Sequence, residues 1–312
     1  MSGPSICVVG CGRIAAAHTK RLKGRADLWF LSRRQESAEE LSRSAGGQGV
    51  FARLDDVLSS ERVDAVLITT PPEVHADQVI RSLEADKAVF VEKPLCTNHE
   101  ELEQIEAAAG ERPVMVGENY YYKPSISMMR SWIEADEIGE IERASIRKCF
   151  KQKSDGWKAT HGALFEGGIH FVALINALMG PITSVVQAEF PGHEGQEAER
   201  HSKLTLKCGT AEVELEYSWA SPSLTKGTFQ HSTIEGTRGR IVFESNGIYA
   251  RQYGRRPRVK FPLSDIMGAG AMIDDLLSCL EGGGSPISGL QRAREDLETV
   301  FRAYEIGSVR PI

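Results

Sequence analysis

Over the first 119 residues, short and almost wholly apolar runs alternate with amphipathic stretches. Residues 6–9, 27–31, 64–69, 87–91 and 114–116 read as strands, with a shorter one at 50–51. The segments 14–22, 36–45, 54–59, 74–84 and 98–109 between them read as helices. Strands without polar alternation suit a sheet covered on both faces. Strict strand–helix alternation therefore predicts a doubly wound parallel sheet.

After residue 119 the pattern changes. A helix is expected at 125–134, a strand at 142–150 and a loop at 151–160. A further helix spans 162–179 and is expected to break near Gly167-Gly168. If it is continuous, Glu166 and His170, four residues apart, share one face. Strand-like runs follow at 182–190, 202–206, 211–219, 228–235, 240–245 and 248–252. Period-two alternation is clear from Glu212 to Tyr217, and turn signals include Asn246-Gly247. Consecutive strands without helices between them predict an open, mainly antiparallel sheet. Helices at 267–280 and 289–304 close the chain. The expected fold class is α/β, with a doubly wound parallel sheet in residues 1–119. A C-terminal α+β domain with an open, mainly antiparallel sheet fills 120–312. The hydrophilic stretch 192–200 (GHEGQEAER) reads as a mobile surface loop, and the basic cluster from Arg251 to Lys260 as a solvated edge.

The strand ends carry the candidate chemistry. Gly10, Gly12 and Ala15 follow the first strand with the spacing G-x-G-x-x-A and open a helix. Gly10 permits a tight turn, Gly12 lets a pyrophosphate approach the backbone, and Ala15 allows close helix–strand packing. The helix N-terminus, including Arg13 and Ile14, would hold the phosphates of a dinucleotide. The second strand ends in Ser32-Arg33-Arg34, where an acidic residue would bind a ribose 2′-hydroxyl. A hydroxyl and two guanidinium groups suit a 2′-phosphate instead, so NADP(H) is favoured over NAD(H), which is not excluded. Thr70 and Pro71 form the turn after the strand 64–69, on the ligand edge of such a sheet. His75, in the next helix, reads as packed beside the cofactor crevice rather than as a catalyst. The strand 87–91 runs into Glu92-Lys93-Pro94. A charged pair at a buried strand end is costly unless it is paired or functional.

Composition narrows the classes. A net charge of −6 argues against a general nucleic-acid binder. The apolar runs are too short for a membrane span, and the start of the chain lacks a secretory pattern. The six cysteines include no C-x-x-C pair, so reduced thiols in a cytoplasmic protein are expected, with no metal site.

Taken together, GCGRIAAAH, Thr70-Pro71-Pro72-Glu73-Val74-His75, Glu92-Lys93-Pro94 and the stretch 162–170 resemble the glucose–fructose oxidoreductase / inositol dehydrogenase (Gfo/Idh/MocA) family. The resemblance runs along nearly the whole chain. It implies an N-terminal Rossmann domain and a C-terminal domain whose sheet forms homodimer or homotetramer contacts. It also implies NAD(P)-dependent redox chemistry at a carbon of a small sugar, keto-sugar or cyclitol. Carried over, Lys93 becomes the active-site lysine, His170 the catalytic histidine, and Asn119 a residue near the nicotinamide. Glu166 stands where the family usually has Asp, and Ala173 where it often has a further Asp. Tyr121, Lys123 and Trp157 are candidates for the substrate side.

On this reading, neutral His170 takes the hydroxyl proton as hydride leaves the carbon. Lys93 stabilises the developing charge on oxygen, or itself relays the proton, and Glu166 orients His170 or binds a hydroxyl. Redox-neutral, cofactor-dependent glycoside cleavage and a non-catalytic nucleotide-binding regulator are the alternatives.

Overall fold

The computed structural model describes residues 3–153, 160–195, 197–223 and 227–309. The chain forms two compact units, Met1–Glu118 with Ala269–Ala293, and Asn119–Gly268 with Arg294–Ile312.

The first unit contains β1 (Ser5–Val9), α1 (Arg13–Leu22), β2 (Asp27–Leu31), α2 (Gln35–Ala45), β3 (Gly49–Phe51) and α3 (Leu54–Leu58). It continues with β4 (Ala65–Ile68), α4 (His75–Glu84), β5 (Ala88–Val91), α5 (His99–Ala109) and β6 (Val114–Val116). The six strands are parallel in the order β3-β2-β1-β4-β5-β6. The core follows from the apolar runs: Cys7, Val8, Val66, Leu67 and Ile68 are all fully buried. Strand order reverses between β1 and β4, and Val9 pairs with both Leu31 and Ile68 at that point. A crevice at the carboxyl ends of two such diverging strands is where this topology accepts a ligand.

The expected division at residue 119 is modified by one segment. The helix α8 (Ala269–Leu280) belongs to the first unit. It buries Met272, Ile273, Leu276 and Leu277, and its Asp274 pairs with Arg25 at 2.7 Å. Beyond it, Ser288 Oγ donates to the Val116 carbonyl at 2.6 Å, and the Val116 N–H donates to the Ser288 carbonyl at 2.8 Å. These contacts supply the open edge of β6 with partners that lie far along the chain.

The second unit is built on an eight-stranded sheet. Its elements are α6 (Pro124–Glu134), β7 (Ile141–Cys149), α7 (Ile169–Met179), β8 (Ser184–Glu189), β9 (His201–Cys208) and β10 (Ala211–Ser218). There follow β11 (His231–Gly236), β12 (Gly239–Glu244), β13 (Ala250–Tyr253), β14 (Arg258–Lys260) and α9 (Leu290–Ile306). The order is β14-β13-β12-β11-β7-β10-β9-β8, antiparallel except for the parallel pair β7–β10. Val213, Leu215 and Tyr217 of β10 are buried, whereas Glu212 and Glu214 face outward, as the alternation predicts. The basic cluster, expected only as a solvated edge, contains the edge strand β14.

The expected break at Gly167-Gly168 does not occur. Residues Leu164–Gly168 form a π turn that runs directly into α7. Gly167 is needed for space against β10, and Gly168 for space against Leu164 within the same turn. A Cβ at Gly167 would lie 2.0 Å from the Tyr217 hydroxyl and 2.7 Å from its Cζ. Tyr217 is held in place because its hydroxyl accepts from Trp219 Nε1 at 3.0 Å.

All six cysteines are free. Among the described residues, no helix is long and apolar enough to cross a membrane and no cluster could hold a metal ion.

Gly167→Ala is expected to destabilise the protein by about 1–3 kcal/mol through overpacking against Tyr217. Urea unfolding, read as a shift of midpoint at unchanged slope, checks this.

Candidate active site

The glycine turn ends β1 at the reversal of strand order. Gly10 has φ +91, and a Cβ there would meet the Thr69 carbonyl and the Thr70 nitrogen at 2.9 Å. Glycine is therefore required twice at this position, by conformation and by space. Thr69 Oγ1 donates to the Gly10 carbonyl at 2.6 Å, tying the β4 end to the turn. At Gly12 a Cβ would meet nothing within 4 Å, so the backbone lies open to a ligand. Gly12 is also the N-cap of α1, and no side chain caps that helix. Its first amides are left without intrahelical partners, which is the state that suits a pyrophosphate. Arg13 and Ile14 are exposed at this end, while Ala15 is buried against the sheet. These features fit a dinucleotide.

Ser32, Arg33 and Arg34 join β2 to α2. The Arg34 N–H donates to Ser32 Oγ at 3.3 Å, and both arginines are exposed without an ion pair among the described residues.

A second group of residues gathers at the ends of β4 and β5. Lys93 is half-buried, between buried Glu92 and buried Pro94, and the Lys93–Pro94 peptide is cis. Each neighbour of Lys93 is held by a histidine. His18, on the buried stripe of α1, places Nε2 2.5 Å from Glu92 Oε1. His75, at the start of α4, places Nδ1 2.8 Å from the Pro94 carbonyl and Nε2 2.8 Å from the Thr70 carbonyl. His75 thus lies between the Thr70-Pro71 and Glu92-Lys93-Pro94 turns, and in its neutral form its single N–H donates to one of the two carbonyls. Burial pushes its pKa below the usual value near 6.5, and the two carbonyls and the charge of Glu92 oppose that shift. His18 was not singled out by motif. Its signal is positional: Ala15, His18, Thr19 and Leu22 form the buried face of α1, and a histidine there requires a polar partner.

The second unit assembles its own group. His170 stacks on Tyr120, with ring centroids 4.9 Å apart and planes inclined by 13°. Lys123 Nζ lies 4.4 Å from the centre of the Tyr120 ring and donates to the Asn246 carbonyl at 2.6 Å. Glu166 is buried in the π turn. Tyr217 opposite has its pKa raised well above the usual value, first by burial and then by the charge of Glu166. Asn119 Nδ2 donates to the Met267 carbonyl at 2.6 Å. Tyr121 is buried, and its hydroxyl donates to Asp296 at 2.9 Å. Ala173 is fully buried. Trp157 lies outside the described residues.

The stretch 192–200 differs from expectation. Glu199 is 1 % exposed and binds the start of the π turn, so this is not simply a mobile surface loop. Burial of a carboxyl is not visible in a run of polar residues.

A doubly wound sheet with a glycine turn at its reversal point is the architecture of a dinucleotide-binding domain, here followed by a unit on an open mixed sheet. Residues 5–120 match the family described as "Oxidoreductase family, NAD-binding Rossmann fold", and residues 126–242 match the GFO/IDH/MocA C-terminal domain. The chain belongs to the Gfo/Idh/MocA oxidoreductase family. It is 26% identical to an inositol 2-dehydrogenase of Rhizobium meliloti, over 76% of this chain and 74% of that one. It is 25% identical to a 4-carboxy-2-hydroxymuconate-6-semialdehyde dehydrogenase of Sphingobium sp., over 92% and 93% of the two chains. The crystal structure of an oxidoreductase from Thermotoga maritima shares the fold with a TM-score of 0.85 at 20% identity, covering 98% of this chain and 97% of that one.

His75 is expected to remain neutral below its usual pKa near 6.5. Its neutral form contributes stability above that value, and the contribution is lost as pH falls below it. Imidazole ¹⁵N spectra recorded from pH 7.5 downward check this, since a cationic His75 at pH 6.5 would contradict it.

Proposed function

We propose that the protein transfers hydride between a nicotinamide dinucleotide and a secondary alcohol or ketone carbon of a sugar, keto-sugar or cyclitol. Membership of an oxidoreductase family and similarity to an inositol 2-dehydrogenase support this reading. The observation that carries it is the pinning of Lys93. Both residues flanking this lysine are anchored by histidines, at 2.5 Å and 2.8 Å, at the carboxyl end of β5. A cation fixed in advance lowers the reorganisation cost of stabilising charge in a transition state.

Bound at the glycine turn, the dinucleotide would accept hydride from an alcohol or supply it to a ketone. Gly10, Gly12, Arg13 and Ile14 hold its pyrophosphate end, with Thr70, Pro71 and His75 shaping the next strand end. Ser32, Arg33 and Arg34 take a 2′-phosphate, which makes NADP(H) the favoured form. Lys93 presents its ammonium group to the carbinol oxygen, where negative charge develops as the C–H bond breaks. His170 takes the hydroxyl proton during oxidation and returns it during reduction. Glu166 orients His170 or binds a neighbouring hydroxyl, and Asn119 lies toward the nicotinamide end. A homo-oligomer joined through the outer face of the eight-stranded sheet belongs to the same reading. That face carries ion pairs such as Arg143–Glu235 and Arg147–Glu216.

A panel of inositols, aldoses and keto-sugars with NADP(H) and NAD(H) tests the substrate class by the appearance or loss of reduced nicotinamide. Lys93→Met and His170→Ala are each expected to lower kcat by about 10²–10⁴-fold. Near-normal turnover in both would overturn the assignment. Arg33→Ala is expected to weaken NADP(H) by about tenfold, the equivalent of ~1.4 kcal/mol, with NAD(H) unaffected. Titration of both cofactors by fluorescence checks this.

A further inference from the structure

We propose that Glu199 is a positioning residue for the reaction, which with Tyr304 forms a buried clamp that holds the segment carrying Glu166 and His170. The proposal rests on the oxidoreductase reading only for its kinetic consequence.

The argument begins with backbone amides. The opening N–H groups of a helical segment have no partner within it, and a buried one needs a partner from elsewhere. Here Ala163 N–H donates to the Glu199 carbonyl at 2.9 Å. Leu164 N–H donates to Glu199 Oε1 at 2.7 Å, and Phe165 N–H donates to the Tyr304 hydroxyl at 3.2 Å. That hydroxyl in turn donates to Glu199 Oε1 at 2.9 Å. The next amide, of Glu166, makes the local bond to the Gly162 carbonyl at 3.0 Å. One glutamate and one tyrosine from distant parts of the chain therefore account for the three amides before the segment supports itself. Gly162 makes the approach possible, since a Cβ there would lie 2.3 Å from Glu199 Oε1 and 2.5 Å from the Tyr304 hydroxyl.

This arrangement exceeds what burial of an acidic side chain requires. Glu199 is 1 % exposed, and its Oε2 is buried with no partner among the described residues. Burial pushes its carboxyl up to about 7, while the Leu164 amide, the Tyr304 hydroxyl, Arg200 and the His201 amide oppose the shift. The titratable and charged groups against it are Arg200 and His201 beside it in the chain, Tyr304 on α9, and Tyr217 on β10. Tyr217 also feels the charge of Glu166. The carboxylate is the stronger acceptor, so the clamp tightens as Glu199 ionises near neutrality. Ionisation also carries a cost. Because the folded value of about 7 exceeds the ordinary value of 4.5, stability falls as pH rises between the two and levels off above the higher.

The test uses the full chain and three variants, Glu199→Ala, Glu199→Gln and Tyr304→Phe. Amide hydrogen exchange is followed at Leu164 and Phe165 from pH 5.5 to 8.5, together with kinetics on the best substrate of the polyol panel. Glu199→Ala is expected to speed exchange at both amides, leave the first unit's strands protected, and lower kcat by about 10–100-fold with little change in cofactor KM. In the wild type, protection at Leu164 beyond the intrinsic pH dependence should rise as Glu199 ionises near pH 7, and Glu199→Gln, which keeps an acceptor, should restore protection and most of kcat while losing that rise. Tyr304→Phe should expose Phe165 and spare Leu164. Unchanged exchange in Glu199→Ala overturns the clamp. Raised exchange with wild-type kcat overturns the catalytic role. Absence of turnover by the wild type refutes the sugar or cyclitol reading instead, and the exchange pattern still decides the clamp.

Discussion

Amides at the start of a helix need partners from outside it, and this chain meets that constraint in two opposite ways. The first turn of α1 has no side-chain cap, and Gly12 before it faces open space. The amides of Ala163, Leu164 and Phe165 are instead taken up within the protein by Glu199 and Tyr304. One end is left without a side-chain cap. The other is built to stay still, and it carries Glu166 and leads to His170.

The same logic governs the charged strand end. A lysine on a turn after a buried strand is ordinarily free to move. Here its neighbours are fixed by His18 from α1 and His75 from α4, so both helices that flank the reversal of strand order contribute to its position. The glycine turn and the lysine turn are therefore not independent motifs. Moving α1 would disturb the glycine turn and Glu92 together. The geometry accounts for the lysine's backbone being held in place by its neighbours.

Much of this was legible in the residues. Apolar runs without alternation marked β1, β4 and β5, and period-two alternation marked β10, because each pattern reflects which faces of a strand are covered. Gly10, Gly12 and Ala15 marked the turn because their requirements are local. Partnerships were not legible. Asp274 on α8 pairs with Arg25, and Ser288 pairs with Val116, across most of the chain length. The division into two consecutive domains accordingly missed the return of 269–293 to the first unit. Tyr121 and Lys123, read as candidates for the substrate, have polar ends bonded to Asp296 and Asn246.

By itself the sequence determined the two architectures, the glycine turn, the strand-end lysine and the basic turn after β2. Each depends on residues close together in the chain and on the covering of one face or two. Only the tertiary structure decided that a polar stretch buries Glu199, that Gly167 and Gly168 continue a helix instead of breaking it, and that two histidines hold the neighbours of Lys93. Those outcomes depend on which side chain from a distant segment fills the space, as Tyr217 does against Gly167, or satisfies the polar group, as Glu199 does for Leu164. Local pattern reports the demand for a partner, and the packed fold decides which residue meets it.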